Sequence, residues 1–155
     1  MNAPFVGPLL PVRDEWIDYN GHLTDWAYAA ICSDANEVFL DSLGLSSAYQ
    51  ARTGSSTYTV EAQLRYLAEV QRGSLIRPES YIVDADTKRI RVHISLYVDD
   101  QLVLTGEHLY LHVDQSTGRV VPFPLDRQAA VDAVRAAHVG IERESHIGRG
   151  VGQRN

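Results

Sequence analysis

From Leu23 to Leu43, apolar residues recur every three or four positions, at Leu23, Ala27, Ala30, Ile31, Ala35, Val38, Phe39 and Leu43. That spacing lines one face of a helix over 24–43, roughly 30 Å long and the longest periodic segment of the chain. Thr24 stands where an N-cap belongs, Asp25 suits the first turn, and Gly44 suits a left-handed stop. After a loop over 45–56 the period changes to two. Tyr58, Val60, Ala62, Leu64 and Tyr66 alternate with Thr57, Thr59, Glu61, Gln63 and Arg65, which predicts a half-buried strand over 57–66. Further strands are expected over 74–84, 89–98 and 102–113, with a turn at Asp99-Asp100-Gln101. A short helix is expected over 126–138. Before the long helix, Pro4, Pro8 and Pro11 limit residues 1–13 to an edge or irregular strand.

One long helix and a run of short-linked strands each carry an apolar surface that needs covering. Wrapping an antiparallel sheet around the helix covers both, so the expected class is α+β. The 155 residues fit one domain, taken as 1–142, with a flexible tail over 143–155 that carries Gly148, Gly150 and Gly152.

A formal net charge of −6 argues against a nucleic-acid partner. The single cysteine, Cys32, cannot close an intrachain disulfide and reads as a small core residue. No secretory leader and no run of 18 apolar residues is seen, so the expectation is a cytoplasmic protein with no membrane partner. There is no Gly-x-Ser-x-Gly elbow and no phosphate-binding glycine loop. His108 and His112 share a strand face but stand roughly 13 Å apart, too far to share a metal. No metal and no cofactor are expected.

The stretch Asp18-Tyr19-Asn20-Gly21-His22-Leu23-Thr24-Asp25-Trp26-Ala27-Tyr28 resembles the signature of the 4-hydroxybenzoyl-CoA thioesterase group of hotdog proteins. Asp18, Gly21, His22, Leu23 and Tyr28 match it in spacing, and the element order over roughly residues 8–115 matches as well. Thr24 and Asp25 depart from it, standing where the signature frequently has two Asn. More narrowly, Glu15 to His22 together with Tyr58-Thr59-Val60-Glu61 is similar to betainyl-CoA thioesterases of carnitine catabolism. The resemblance implies a hotdog fold, a homodimer or tetramer with sites at the subunit interface, an acyl-CoA substrate and hydrolysis to free acid and CoA.

It also implies Asp18 as the catalytic carboxylate, attacking the thioester directly or activating water. Taken without the motif, Asp18 is an ordinary turn residue. The turn and helix N-terminus, Gly21, His22, Thr24, Asp25 and Trp26, would surround the thioester oxygen, with first-turn N–H groups as the oxyanion hole. A His at such a position is more often a hydrogen-bonded structural group in the turn. Acyl-pocket candidates are Trp16, Tyr19, Tyr28, Tyr58 and Glu61. Aromatic faces and carboxylates suit a quaternary ammonium acyl group, while core packing and a solvated strand face account for the same residues. Arg65, Arg72, Arg77, Lys88, Arg89 and Arg91 are candidates for the CoA phosphates, or ordinary surface charge. Two rivals share the fold: a dehydratase or hydratase, whose catalytic His motif is not found here, and a non-catalytic acyl-CoA-binding module.

Overall fold

A computed structural model describes residues 3–143, 146–148 and 150–151. Two short strands, β1 (Phe5–Val6) and β2 (Leu10–Pro11), precede a 3-10 turn over Asp14–Trp16 and the long helix α1 (Asp25–Ser42). A short helix α2 (Ser47–Thr53) leads into β3 (Ser55–Tyr66), β4 (Leu75–Ala85), β5 (Arg89–Val98) and β6 (Gln101–Asp114). A two-residue strand β7 (Arg119–Val120) and helix α3 (Leu125–His138) follow. The strands form one antiparallel sheet in the order β1-β4-β5-β6-β3, with β2 also on β4 and β7 on β6. It wraps around α1, which is the hotdog arrangement.

The α1 stripe buries Ala27, Tyr28, Ile31, Cys32, Ala35, Asn36, Phe39 and Leu40. Its N-terminal half packs on Ile76, Ile94, Leu96 and Leu104, and its C-terminal half on Ile82, Ile90, Val92, Tyr110 and Phe123. Burial of each large apolar side chain contributes about 1.5–3 kcal/mol. Burial also pushes the Cys32 thiol up to about 12, so it stays protonated and inert. Gly44, at φ 72°, closes α1 with Leu45 N–H on Leu40 O at 3.0 Å and its own N–H on Asp41 O at 2.8 Å. Arg127 from α3 donates to Leu43 O at 3.1 Å, a cation at the negative end of the helix.

Three expectations are corrected. The stretch 45–56 is not all loop, since Ser47–Thr53 is helical and anchored by Tyr49, whose hydroxyl bonds His112 Nε2 at 2.9 Å. A seven-residue helix with one buried side chain leaves no periodic signal. The second correction concerns β3. A bulge between Thr59 and Glu61 sets Thr59 opposite Tyr110 and Ala62 opposite His108, so Tyr58 and Val60 leave the core face. β3 is also the last strand of the sheet, and Tyr58, Val60 and Tyr66 are 44%, 52% and 53% exposed. The third is the α1 stripe, from which Val38 turns outward.

The β4 edge beyond β1 is plugged rather than paired. Ile82 N–H donates to His138 Nδ1 at 3.0 Å, and Arg143 donates to Val83 O at 2.8 Å. The expected tail falls partly on residues 144–145, 149 and 152–155, which lie outside the described residues. Of the rest, His146 Nε2 meets Thr105 Oγ1 at 2.8 Å, and Gly148 N–H donates to Glu107 at 2.7 Å.

Three buried histidines give a pH signature. Burial, with His146 adding to it, pushes His93 down to about 4, and burial also lowers His108 and His138. Below about pH 6.5 the unfolded chain binds protons at these sites that the folded chain refuses. Stability therefore falls as pH drops from about 6.5 toward 4. Thermal melts at pH 7 and pH 5 should show a lower Tm at pH 5, and His93→Gln should shrink the difference; an unchanged Tm would contradict the assignment.

Candidate active site

The Asp18 turn is a tight backbone loop. Asp18 N–H donates to His22 O at 2.8 Å, and Gly21 N–H returns to Asp18 O at 3.0 Å. Gly21 sits at φ 83°, a conformation that residues with a Cβ rarely adopt. The loop is clamped on both sides, by Thr24 N–H on Trp16 O and Leu23 N–H on Val70 O, both at 2.8 Å. Its carboxylate accepts the N–H groups of Asn20 at 2.8 Å and His22 at 3.1 Å. The His22 N–H foremost, then those of Asn20, hold the Asp18 carboxyl below its ordinary range. It is half-buried and ionised at neutral pH, and it shares a cavity wall with Asp25 at the positive end of α1.

Around it lies a cavity of about 390 Å³, lined by Asp18, Asn20, His22, Leu23, Asp25, Tyr28, Tyr66, Leu67, Ala68 and Glu69. Among the described residues, its walls carry three carboxylates, those of Asp18, Asp25 and Glu69, and neither Lys nor Arg. His22 Nε2 stands 3.3 Å from Glu69. Tyr28 and Tyr66 meet edge to face with centroids 5.3 Å apart. The Tyr28 hydroxyl donates to Ala68 O at 3.1 Å, and that of Tyr66 to Asp25 O at 3.4 Å. At the helix start, Trp26 N–H donates to Asp25 Oδ1 at 2.8 Å. Thr24 has the extended backbone of an N-cap but makes no side-chain cap bond.

The fold thus brings together Asp18, His22, Asp25 and Tyr28 of the sequence candidates, with Gly21 shaping the turn. Trp16 is buried in the core under the Arg13 guanidinium. Tyr19 is 98% exposed and Trp26 55%, and neither lines the cavity. Tyr58 lies eight residues along β3 from Tyr66. Glu61 lines a different cavity, on the outer sheet face beside Arg91 and Glu107. Asn20, Tyr66 and Glu69 join the site without having been singled out. Tyr66 read as strand packing, and Glu69 lies in an aperiodic link whose approach depends on the Leu23–Val70 bond.

The basic candidates are scattered. Arg72 pairs with Asp14, and Arg77 with Glu79 while stacking on Tyr97. Arg89 meets Asp86 at 2.6 Å and Arg91 meets Glu107 at 2.6 Å. Arg65, next to Tyr66, and Lys88, at the far end of the sheet, have no ion-pair partner among the described residues. Also among the described residues, no group of three or more His, Cys, Asp or Glu is placed to hold a metal ion, and no helix is long and apolar enough to cross a membrane.

A family model described as the thioesterase-like superfamily matches residues 12–137. An Agrobacterium fabrum protein named L-carnitine dehydrogenase/betainyl-CoA thioesterase is 38% identical over 141 residues, which is 90% of this chain and 29% of that one. The chain therefore spans less than a third of that relative. A Pseudomonas aeruginosa protein named betainyl-CoA thioesterase is 33% identical over 144 residues, covering 92% of this chain and 91% of that one. A Staphylococcus aureus protein solved in complex with CoA superposes with a TM-score of 0.91 at 26% identity, covering 99% of this chain and 98% of that one.

Proposed function

The chain belongs to the thioesterase-like superfamily, and from that premise we propose that it hydrolyses a small cationic acyl-CoA, of the betainyl-CoA type, at Asp18. The observation that carries the substrate class is the cavity wall, with three carboxylates, two tyrosines and, among the described residues, neither Lys nor Arg. Such a wall repels an anionic acyl group and suits a quaternary ammonium. The names of the A. fabrum and P. aeruginosa relatives support the same substrate.

In this mechanism the thioester carbonyl sits between the Asp18 carboxylate and the N-terminus of α1. Asp18 either attacks the carbonyl carbon, giving a mixed anhydride that water then opens, or removes a proton from the water that attacks. Negative charge builds on the carbonyl oxygen, where first-turn N–H groups oppose it. The carbon–sulfur bond breaks, CoA leaves with its sulfur taking a proton, and water supplies the oxygen and proton of the free acid. No cofactor is needed for this balance. The CoA phosphates stay outside the anionic cavity, where Arg65 is the nearest cation in sequence.

A second copy completes the assembly in this proposal. Among the described residues β3 bonds β6 alone, which leaves its other edge unpaired, and Tyr58, Val60 and Tyr66 along it are exposed. Antiparallel pairing of two such edges brings the Tyr58–Glu61 stretch of one copy toward the Tyr66 end of the other.

The charge reading has a direct test in thiol release from three esters: cationic betainyl-CoA, neutral tert-butylacetyl-CoA of the same shape, and anionic succinyl-CoA. The expected order of kcat/KM is cationic, then neutral, then anionic, with at least about tenfold between the extremes. A preference for succinyl-CoA would overturn it.

A further inference from the structure

We propose that β3 pairs with β3 of a second copy in one register, about an axis through Gln63, so that Glu61 of each copy meets Arg65 of the other and the second copy's Val60 closes the Asp18 cavity at Tyr66. The inference rests on the reading above that two copies join along this edge.

The charge pattern of β3 is its own complement. From Glu61 to Tyr66 the strand runs regularly opposite Leu109 to Leu104 of β6. Leu64 packs on the core under α1, and Tyr66 meets Tyr28 of that helix. Alternation therefore puts Glu61, Gln63 and Arg65 together on the outer face. Glu61 is exposed and Arg65 half-buried, and neither has an ion-pair partner among the described residues. Arg91, which lines one cavity with Glu61, is held by Glu107 at 2.6 Å.

With both helices on one side of the joined sheet, opposite residues share a face, so the two-fold axis passes through a residue. Of the axes within Glu61–Arg65, one at Glu61 or at Arg65 sets like charges face to face, which is unfavourable. One at Ala62 or Leu64 sets a charge against Gln63 and leaves the other without an opposite charge. An axis at Gln63 joins Glu61 to Arg65 twice. The same register uses the bulge. Val60 has no partner on β6 and is exposed, and the register lays it against the exposed Tyr66 of the other copy. Tyr66 is a wall of the Asp18 cavity, so the site gains an apolar side from the second copy.

Cross-linking reads the register. Opposite Cα atoms in an antiparallel pair stand about 4.5–5.5 Å apart, within disulfide reach. Under mild oxidation Gln63→Cys forms a covalent dimer. Glu61→Cys and Arg65→Cys do not, because each position lies four residues, roughly 13 Å, from its mate. Cys32 is buried and does not compete. In sedimentation, Glu61→Arg and Arg65→Glu each weaken the dimer by about tenfold or more, and the double variant restores it. Val60→Ala raises KM for the fastest of the three esters by about threefold or more, with kcat kept. Circular dichroism confirms the fold of each variant. A cross-link at Glu61→Cys or Arg65→Cys, or a dimer that gives none at Gln63→Cys, overturns the register, as does a double variant no tighter than the singles. An unchanged KM removes Val60 from the site. A monomer in sedimentation sinks the two-copy reading itself, whereas a cross-linked dimer that releases no thiol leaves the register standing and the thioesterase reading refuted.

Discussion

Replacing Asp18 with Asn lowers kcat for thioester hydrolysis by at least about 100-fold, the scale of an essential acid–base or nucleophilic group. The substitution keeps the shape of the turn. An Asn oxygen can still accept the N–H groups of Asn20 and His22, which the carboxylate accepts at 2.8 and 3.1 Å. What disappears is the negative charge that attacks the carbonyl or takes a proton from water. Because those two bonds are kept, the melting temperature should barely move, so the rate loss will not be unfolding. The wild-type pH profile carries the same information. Asp18 must be ionised to act, and its neighbours hold its carboxyl below the ordinary 3.8. Activity governed by Asp18 therefore persists as pH falls to that value and is lost only below it. Thiol release by both proteins, followed from pH 7 to the limit of folding, checks both points. A variant within a few-fold of wild type would remove Asp18 from the chemistry.

Phe39→Ala costs about 3–5 kcal/mol of folding stability, the range for truncating a buried aromatic. Phe39 is 1% exposed and joins three elements. Its ring lies 5.4 Å from that of Phe5 on β1 and 6.3 Å from that of His138 at the end of α3, while the residue itself belongs to α1. Shrinking it opens a cavity between helices and sheet that rigid strands cannot refill. In a domain of this size the expected fall in Tm is roughly 10 °C or more. Phe39 sits roughly 20 Å along α1 from Asp25, so the active-site turn is untouched at low temperature. The variant should melt early in a thermal scan, shift its urea midpoint down, and keep most of its turnover at about 15 °C. A Tm within about 2 °C of wild type would show that the C-terminal half of α1 is less tightly packed than described.

Much of this architecture is legible in the chain because period and burial agree. Ile90, Val92, Ile94 and Leu96 alternate in sequence and lie fully buried in β5. The α1 stripe is read correctly along its length but rotated slightly, because Asn36 counts as polar in sequence and is 1% exposed in the fold. β3 defeats alternation for two reasons that sequence does not carry. One is the bulge at Thr59–Glu61, and the other is a position at the sheet edge that leaves even apolar residues exposed. The site divides in the same way. Asp18, His22, Asp25 and Tyr28 are found because they lie within eleven consecutive residues. Tyr66 and Glu69 arrive only through tertiary pairing, where the link after β3 returns to meet Leu23. Glu61 and Tyr58 show the reverse: motif-like in sequence, they lie away from Asp18 within a single chain, and their proposed role depends on a second copy.

The most direct test of the central claim is thiol release by the wild-type protein from betainyl-CoA and a small panel of acyl-CoAs, with CoA binding measured alongside. The account predicts steady turnover of at least one ester, with the cationic acyl group preferred. Binding of CoA with no thiol released from any ester would contradict it and leave a hotdog module that holds acyl-CoA without cleaving it.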